Sequence, residues 1–158
     1  MADVLISYDH NDEAGAAALA KETERLGFTV WWDRKLIGGT RWAKVILEQL
    51  NAAHAVLVIW SRHSVHSEFV EDEARRALAA GKLIPLRTKD VEIGQIPLGF
   101  GGYQILALGD IAGIGEAIRS LGLGYYKRGK EYYKNRDYNR ATLDFSKAIR
   151  LNSRHRQA

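Results

Sequence analysis

Short apolar runs alternate with amphipathic stretches through the first 121 residues, and this alternation restricts the fold more than any other feature. Val4 to Ser7, Phe28 to Trp32, Ala55 to Trp60, Leu83 to Leu86 and Gln104 to Leu108 read as five strands. Short runs apolar on both faces suit strands covered from both sides, which is the habit of a parallel sheet packed between helices. The intervening stretches carry a helical period. Asn11 to Leu26 keeps Ala16, Leu19, Ala20 and Leu26 near one face and stops at Gly27, a residue suited to a left-handed cap. Trp42 to Asn51 turns Val45, Ile46 and Leu50 inward, a third helix starts at Ser67 as N-cap and ends at Gly81, and Ile111 to Leu121 is a last helix. The fourth crossover, Lys89 to Gly102, holds Gly94, Pro97, Gly99, Gly101 and Gly102 and reads mostly as loop.

The 158 residues are 46% hydrophobic, enough for a packed core and for one domain with an appendage. There is no cysteine, which excludes disulfides, thiolate metal sites and thiol nucleophiles. No basic leader precedes the first strand and no apolar run approaches the length of a membrane span, so the expectation is a cytoplasmic protein with no membrane partner. The net charge of +4 is unevenly spread: residues 1–121 hold 13 Lys and Arg against 16 Asp and Glu, whereas residues 122–158 hold 10 against 3. A basic tail can serve nucleic acid. Here the charges follow a helical pattern without a nucleic-acid motif, so a solvated face or docking on the acidic part is expected instead.

The third helix contains the most telling acid. At about 100° per residue Val70, Ala74, Ala77 and Leu78 form one stripe, and of four acids in the segment only Glu73 falls at its edge. Phe69 lies one turn earlier on the same flank, placing a ring beside a half-buried carboxylate. The alternative is a surface acid paired with Arg76 or Lys44.

Four stretches, Val4-Leu5-Ile6-Ser7-Tyr8, Gly27 to Asp33, Gly39-Thr40-Arg41-Trp42 and Ser64 to Ala74, give the sequence from about Ala2 to Leu121 a form that resembles the TIR (Toll/interleukin-1 receptor) domain of bacterial type. The resemblance implies a flavodoxin-like α/β fold with strand order 2-1-3-4-5 and helices on both faces. In the NAD-cleaving members a Trp-x-x-x-Glu motif carries the catalytic glutamate, and its register here gives Phe69 and Glu73. Phe keeps a ring but lacks the indole N–H. The segment from Asp33 to Trp42 corresponds to the family's BB loop, which gates the site and joins TIR domains, so Lys35, Leu36, Ile37, Gly38 and Gly39 are the expected assembly loop.

Sheets of this kind bind ligands at the carboxyl ends of their strands, near the switch between strands one and three. Ser7 to His10, Asp33 to Arg41 and Ser61 to Ser67 are the loops at that edge. Tyr8, Asp9, Asp33, Arg34, Trp42 and Phe69 are accordingly the expected substrate contacts around Glu73. Of Trp31 and Trp32, one must face the core. His63, His66 and Glu68 lack a third placed ligand and make a weak zinc motif. A dinucleotide fingerprint, a P-loop and a G-x-S-x-G elbow are all missing from the sequence, which disfavours hydride transfer, triphosphate hydrolysis and serine hydrolysis.

After Gly122 and Gly124 the spacing of Tyr125, Gly129, Tyr132, Ala141, Phe145 and Ala148 resembles one tetratricopeptide repeat, an α-helical hairpin over Tyr125 to Asn152. One repeat cannot bury its own face, so the chain is cut from a longer one or the hairpin packs on the first domain. The expected organisation is a TIR domain over 1–121 and a repeat segment over 122–158. The resemblance implies a hydrolase or cyclase acting on NAD+ as substrate with no other cofactor, self-associating through its TIR domains and holding a protein or peptide partner on the repeat. A non-enzymatic adaptor and a base-exchange enzyme are the alternatives.

Overall fold

The computed structural model describes residues 2–34 and 42–153. Five parallel strands, β1 (Val4–Ser7), β2 (Val30–Trp31), β3 (Ala55–Trp60), β4 (Leu83–Arg87) and β5 (Leu106–Ala107), lie in the order β2-β1-β3-β4-β5. This is the expected flavodoxin-like order. Helices α1 (Glu13–Arg25), α2 (Trp42–Ala52), α3 (Glu68–Ala79), α4 (Ile111–Lys134) and α5 (Tyr138–Ser153) complete the fold.

The two-residue alternation of the strands divides the core. Val4, Ile6, Ala55, Leu57, Ile59 and Leu86 face α1 and α4 through Ala16, Leu19, Ile114 and Ile118. Leu5, Val56, Val58 and Trp60 face α2 and α3 through Leu50, Val70, Ala74 and Ala77. Every residue of β3 is fully buried, so truncating Leu57 to alanine would cost about 2–5 kcal/mol.

Two strands are shorter than their apolar runs. Phe28 is buried in the α1-side core, but the N–H of Thr29 is taken by the Asp3 carboxylate at 3.0 Å, so the β1–β2 ladder starts only at Val30. β5 shrinks to Leu106–Ala107 at the edge of the sheet, paired on β4 alone. Trp31 packs toward α2 and α3, and Trp32 toward α1. The pair splits across the sheet as period two requires.

A larger departure concerns the end of the first domain. Gly122 and Gly124 do not interrupt the chain: α4 runs unbroken from Ile111 to Lys134 through the expected boundary. A Cβ at Gly122 would sit 2.6 Å from Asn152 Nδ2, and one at Gly129 would sit 2.8 Å from the Phe145 ring. These glycines let α5 approach. The turn between the helices places Arg136 at a φ of 61°. Asp144, buried, accepts from Arg128 Nε at 2.6 Å and Nη2 at 2.9 Å, fastening the two helices to each other.

The hairpin also fastens to the sheet. Tyr125, Ala148 and Leu151 belong to the α1-side core. Tyr125 donates to the carbonyl of His54 at 2.8 Å, and Arg150 donates to Asp3 at 2.8 Å. These contacts lie where β1 and β3 begin, at the amino edge of the sheet. There Lys82 also closes the end of α2, donating to the carbonyls of Leu50, Asn51 and Ala53 at 2.7 to 3.2 Å. The hairpin therefore completes the sheet domain at the edge opposite the loops at the carboxyl ends.

Candidate functional site

Ser67 starts α3 as its N-cap, accepting from the N–H of Val70, and so sets the phase of the helix. Val70, Ala74 and Ala77 then point into the sheet, and Glu73 goes with them. Its residue exposure is 3%. The carboxylate is fully inside, beyond the stripe edge where the sequence places it.

The partners of Glu73 are long-range. Ser7, the last residue of β1, donates its hydroxyl to Oε1 at 2.7 Å. Arg34 Nη2 lies 3.1 Å from Oε1 and 3.1 Å from Oε2, and it also donates to the carbonyl of Ile6 at 3.2 Å. Neither Arg76 nor Lys44 takes part: Arg76 binds Asp72 at 2.9 Å and Lys44 lies 4.0 Å from Glu48. Burial pushes the Glu73 carboxyl above its ordinary value, against the opposing charge of Arg34 and the hydrogen bonds from Ser7 and Arg34.

Arg34 is enclosed by rings. Its guanidinium carbon is 5.5 Å from the centroid of Tyr8, 5.6 Å from Trp31 and 5.4 Å from Phe69, all within cation–π range. Its Nε is buried and finds no partner among the described residues. An unpaired buried donor of this kind costs about 1–3 kcal/mol.

In front of the pair opens a cavity of about 490 Å³ lined by Tyr8, Asp9, His10, Glu13, Arg34, Trp42, Ile46, Ser67 and Phe69. Trp42 and Phe69 meet with ring centroids 5.3 Å apart and planes tilted by 42°, and Tyr8 leans on Trp32 at 6.3 Å. Asp9 caps the turn into α1, accepting from the backbone and side chain of Asn11. Of the residues expected to contact a substrate, Tyr8, Asp9, Arg34, Trp42 and Phe69 therefore share one wall. Asp33 is exposed and is not part of that lining. Lys35, Leu36, Ile37, Gly38 and Gly39 lie outside the described residues.

The sequence misses several contributors, among them Glu13, which it gives no site role. Ser7 reads as a strand residue, and Arg34 reads as a ligand contact rather than the partner of Glu73. Ile46 reads only as an inward core residue of α2. No local signal marks Ser7 or Arg34, because each pairs across many residues of chain. A larger cavity of about 850 Å³ lies between α1 and the ends of β4 and β5, and holds none of the expected site residues. Among the described residues no cluster of three or more His, Asp or Glu side chains could hold a metal, and no described helix is long and apolar enough to cross a membrane.

A parallel sheet in this order, with a buried acid on the third helix facing the switch between β1 and β3, agrees with comparison against known families. A family profile described as TIR domain matches residues 4–118. The chain belongs to the TIR domain family. The match ends before the hairpin, which stands as a helical hairpin rather than an identified repeat. Among solved structures, the TIR domain of the Toll-related receptor TRR-2 from Hydra magnipapillata is 20% identical, with a TM-score of 0.62 over 77% of this chain and 95% of that one. A metazoan TIR-STING receptor from C. gigas is 20% identical, with a TM-score of 0.63 over 85% of this chain and 46% of that one. This TIR chain thus spans about half of that receptor, and at such identity the likeness is one of fold. No curated protein sequence matches the chain.

Proposed function

We propose that this TIR domain cleaves the nicotinamide N-ribosyl bond of NAD+, with Glu73 as the catalytic carboxylate. The observation that carries the reading is a buried carboxylate, held by Ser7 and Arg34, directly behind an aromatic-walled cavity at the ligand-binding edge of the sheet. The chemistry suits a lone acid. The nicotinamide is bound as a pyridinium, so it leaves as a neutral base carrying both electrons of the broken bond and needs no general acid, unlike an ordinary glycoside. The ribosyl carbon left behind is oxocarbenium-like, and an anion near the ribose stabilises that charge as it develops. Water then adds and loses a proton to give ADP-ribose, or a nucleophile within the same ADP-ribose closes a cyclic product.

Phe69 and Trp42 offer ring faces to the nicotinamide or adenine, and the segment from Lys35 to Gly39 joins neighbouring TIR domains into the active assembly. The hairpin, resembling a tetratricopeptide unit, holds a protein or peptide partner that controls this assembly in signalling or antiphage defence. A second reading has its own support: Glu73 is already neutralised by Arg34, as a structural ion pair would be, and the protein is then a TIR adaptor. Incubating the full chain at high concentration with NAD+ and separating the products by chromatography decides between them. Release of nicotinamide that disappears in Glu73→Gln supports the enzyme. Turnover retained in a folded Glu73→Gln protein removes Glu73 from the chemistry.

A further inference from the structure

We propose that Arg34 is a built-in cationic plug, occupying between Glu73 and the surrounding aromatic rings the position that a planar cationic ligand takes, so that such a ligand enters only when the guanidinium leaves. The proposal deepens the reading of this cavity as a site for a pyridinium-bearing substrate and rests on it for the identity of the ligand.

Three observations carry it. The first is the match of shape and charge. The guanidinium is a flat, delocalised cation, and its carbon lies 5.4 to 5.6 Å from three ring centroids while one nitrogen touches both oxygens of a carboxylate. A pyridinium ring is likewise a flat, delocalised cation, and rings with an anion behind them are what recognises one.

The second is that Arg34 is imperfectly held. A guanidinium can donate five hydrogen bonds, and a structural arginine meets a carboxylate with two parallel ones. Here a single nitrogen serves both oxygens, and the buried Nε has no partner among the described residues. Leaving the cavity would restore that donor to water.

The third is the charge of the wall. Arg34 is the one Lys or Arg among the described lining residues, which include Asp9 and Glu13 and back onto Glu73. Withdrawing Arg34 removes the one described cation that opposes Glu73. The side chain can withdraw without breaking the sheet, since it follows β2 and is outside the β1–β2 ladder.

The test uses the full chain at pH 8 and two probes of the same ring, 1-methylnicotinamide, which is a fixed cation, and nicotinamide, which is neutral. Binding is read from the fluorescence of the tryptophans beside the cavity. Arg34→Met, which fills the space without charge, is expected to bind 1-methylnicotinamide about tenfold or more tighter than wild type, with nicotinamide changing by less than about threefold. Arg34→Lys keeps a cation and is expected to stay within about threefold of wild type. Equal affinity of Arg34→Met and wild type for the cation, or Arg34→Lys binding as tightly as Arg34→Met, overturns the plug.

Should Arg34→Met fail to fold by circular dichroism, the wild-type Arg34 Nε–H resonance is followed by NMR at saturating 1-methylnicotinamide. A shift to a rapidly exchanging position supports displacement, and an unmoved resonance refutes it. Turnover of NAD+ is measured separately. Its absence alongside tight cation binding in Arg34→Met removes the enzyme reading and leaves the plug standing.

Discussion

The two edges of the sheet each bury a carboxylate against an arginine, and they treat the pair differently. At the amino edge, fully buried Asp3 accepts from the N–H of Thr29 and from Arg150, while its own N–H donates to the Thr29 hydroxyl. Every one of these contacts ties one element to another. At the carboxyl edge, Glu73 is also buried, but its arginine has a buried donor with no partner among the described residues and opens onto a cavity. Their proton affinities diverge in consequence. Hydrogen bonds and Arg150 outweigh burial at Asp3 and hold it below its ordinary value, whereas burial dominates at Glu73 and raises it. Asp3, which joins parts of the fold, is made comfortable as an anion, whereas Glu73, the proposed catalytic acid, is not.

The largest expected effect tests the second half of that contrast. Glu73→Gln should lower NAD+ cleavage by about a hundredfold or more, the scale on which removing a charge-stabilising group acts, with native circular dichroism retained. Asp3→Ala should do the reverse. Removing one partner of a buried pair costs about 3 kcal/mol, read as a lowered midpoint in urea, and turnover per folded molecule should stay unchanged.

A third experiment separates the two acids by pH. Asp3 has a depressed folded value, so its contribution is present above the ordinary 3.8 and is lost as pH falls through the folded value. Glu73 has a raised folded value, so its contribution is present below the ordinary 4.5 and is lost as pH rises through the folded value. Urea midpoints from pH 3 to 8 should therefore converge with those of Asp3→Asn toward acid, while wild type should lose ground to Glu73→Gln as the pH rises. Parallel curves for all three proteins would erase the distinction.

Smaller effects refine it. Phe69 is 36% exposed, so Phe69→Ala should cost only about 1–2 kcal/mol of stability, below the range for a fully buried ring, and should lower activity. Phe69→Trp should keep or improve turnover. Ser7→Ala removes a bond that favours the ionised acid, so it should move the acid limb of the pH–rate profile upward and lower the rate about threefold to tenfold at the acid end.

The sequence discloses one edge of this contrast better than the other. The strands, Ser67 as cap and the placement of Glu73 at the edge of the inward stripe are legible because each is local, a matter of period and spacing. The strand order came only with the family resemblance. The pairing of Glu73 with Arg34 was not legible, since the two are 39 positions apart and only the parallel order of β2 and β1 brings them together. Asp3 carried no signal either, being an ordinary acid before a strand until α5 returns over 147 positions to meet it. Gly122 misled for a definite reason. Glycine also serves where two backbones press together, and Asn152 and Leu151 press on Gly122.

That unbroken passage through Gly122 makes α4 a spar. Its 24 residues span about 36 Å at 1.5 Å per residue, with no hinge where the sheet domain hands over to the hairpin. A load borne by the hairpin tip near Arg136 reaches the sheet as torque through a stiff lever rather than being lost in a linker. Were copies of the chain to line up through their sheets, their hairpins would stand at one fixed pitch and azimuth. A partner that held the tip, as proposed above, would then set how neighbouring cavities face one another.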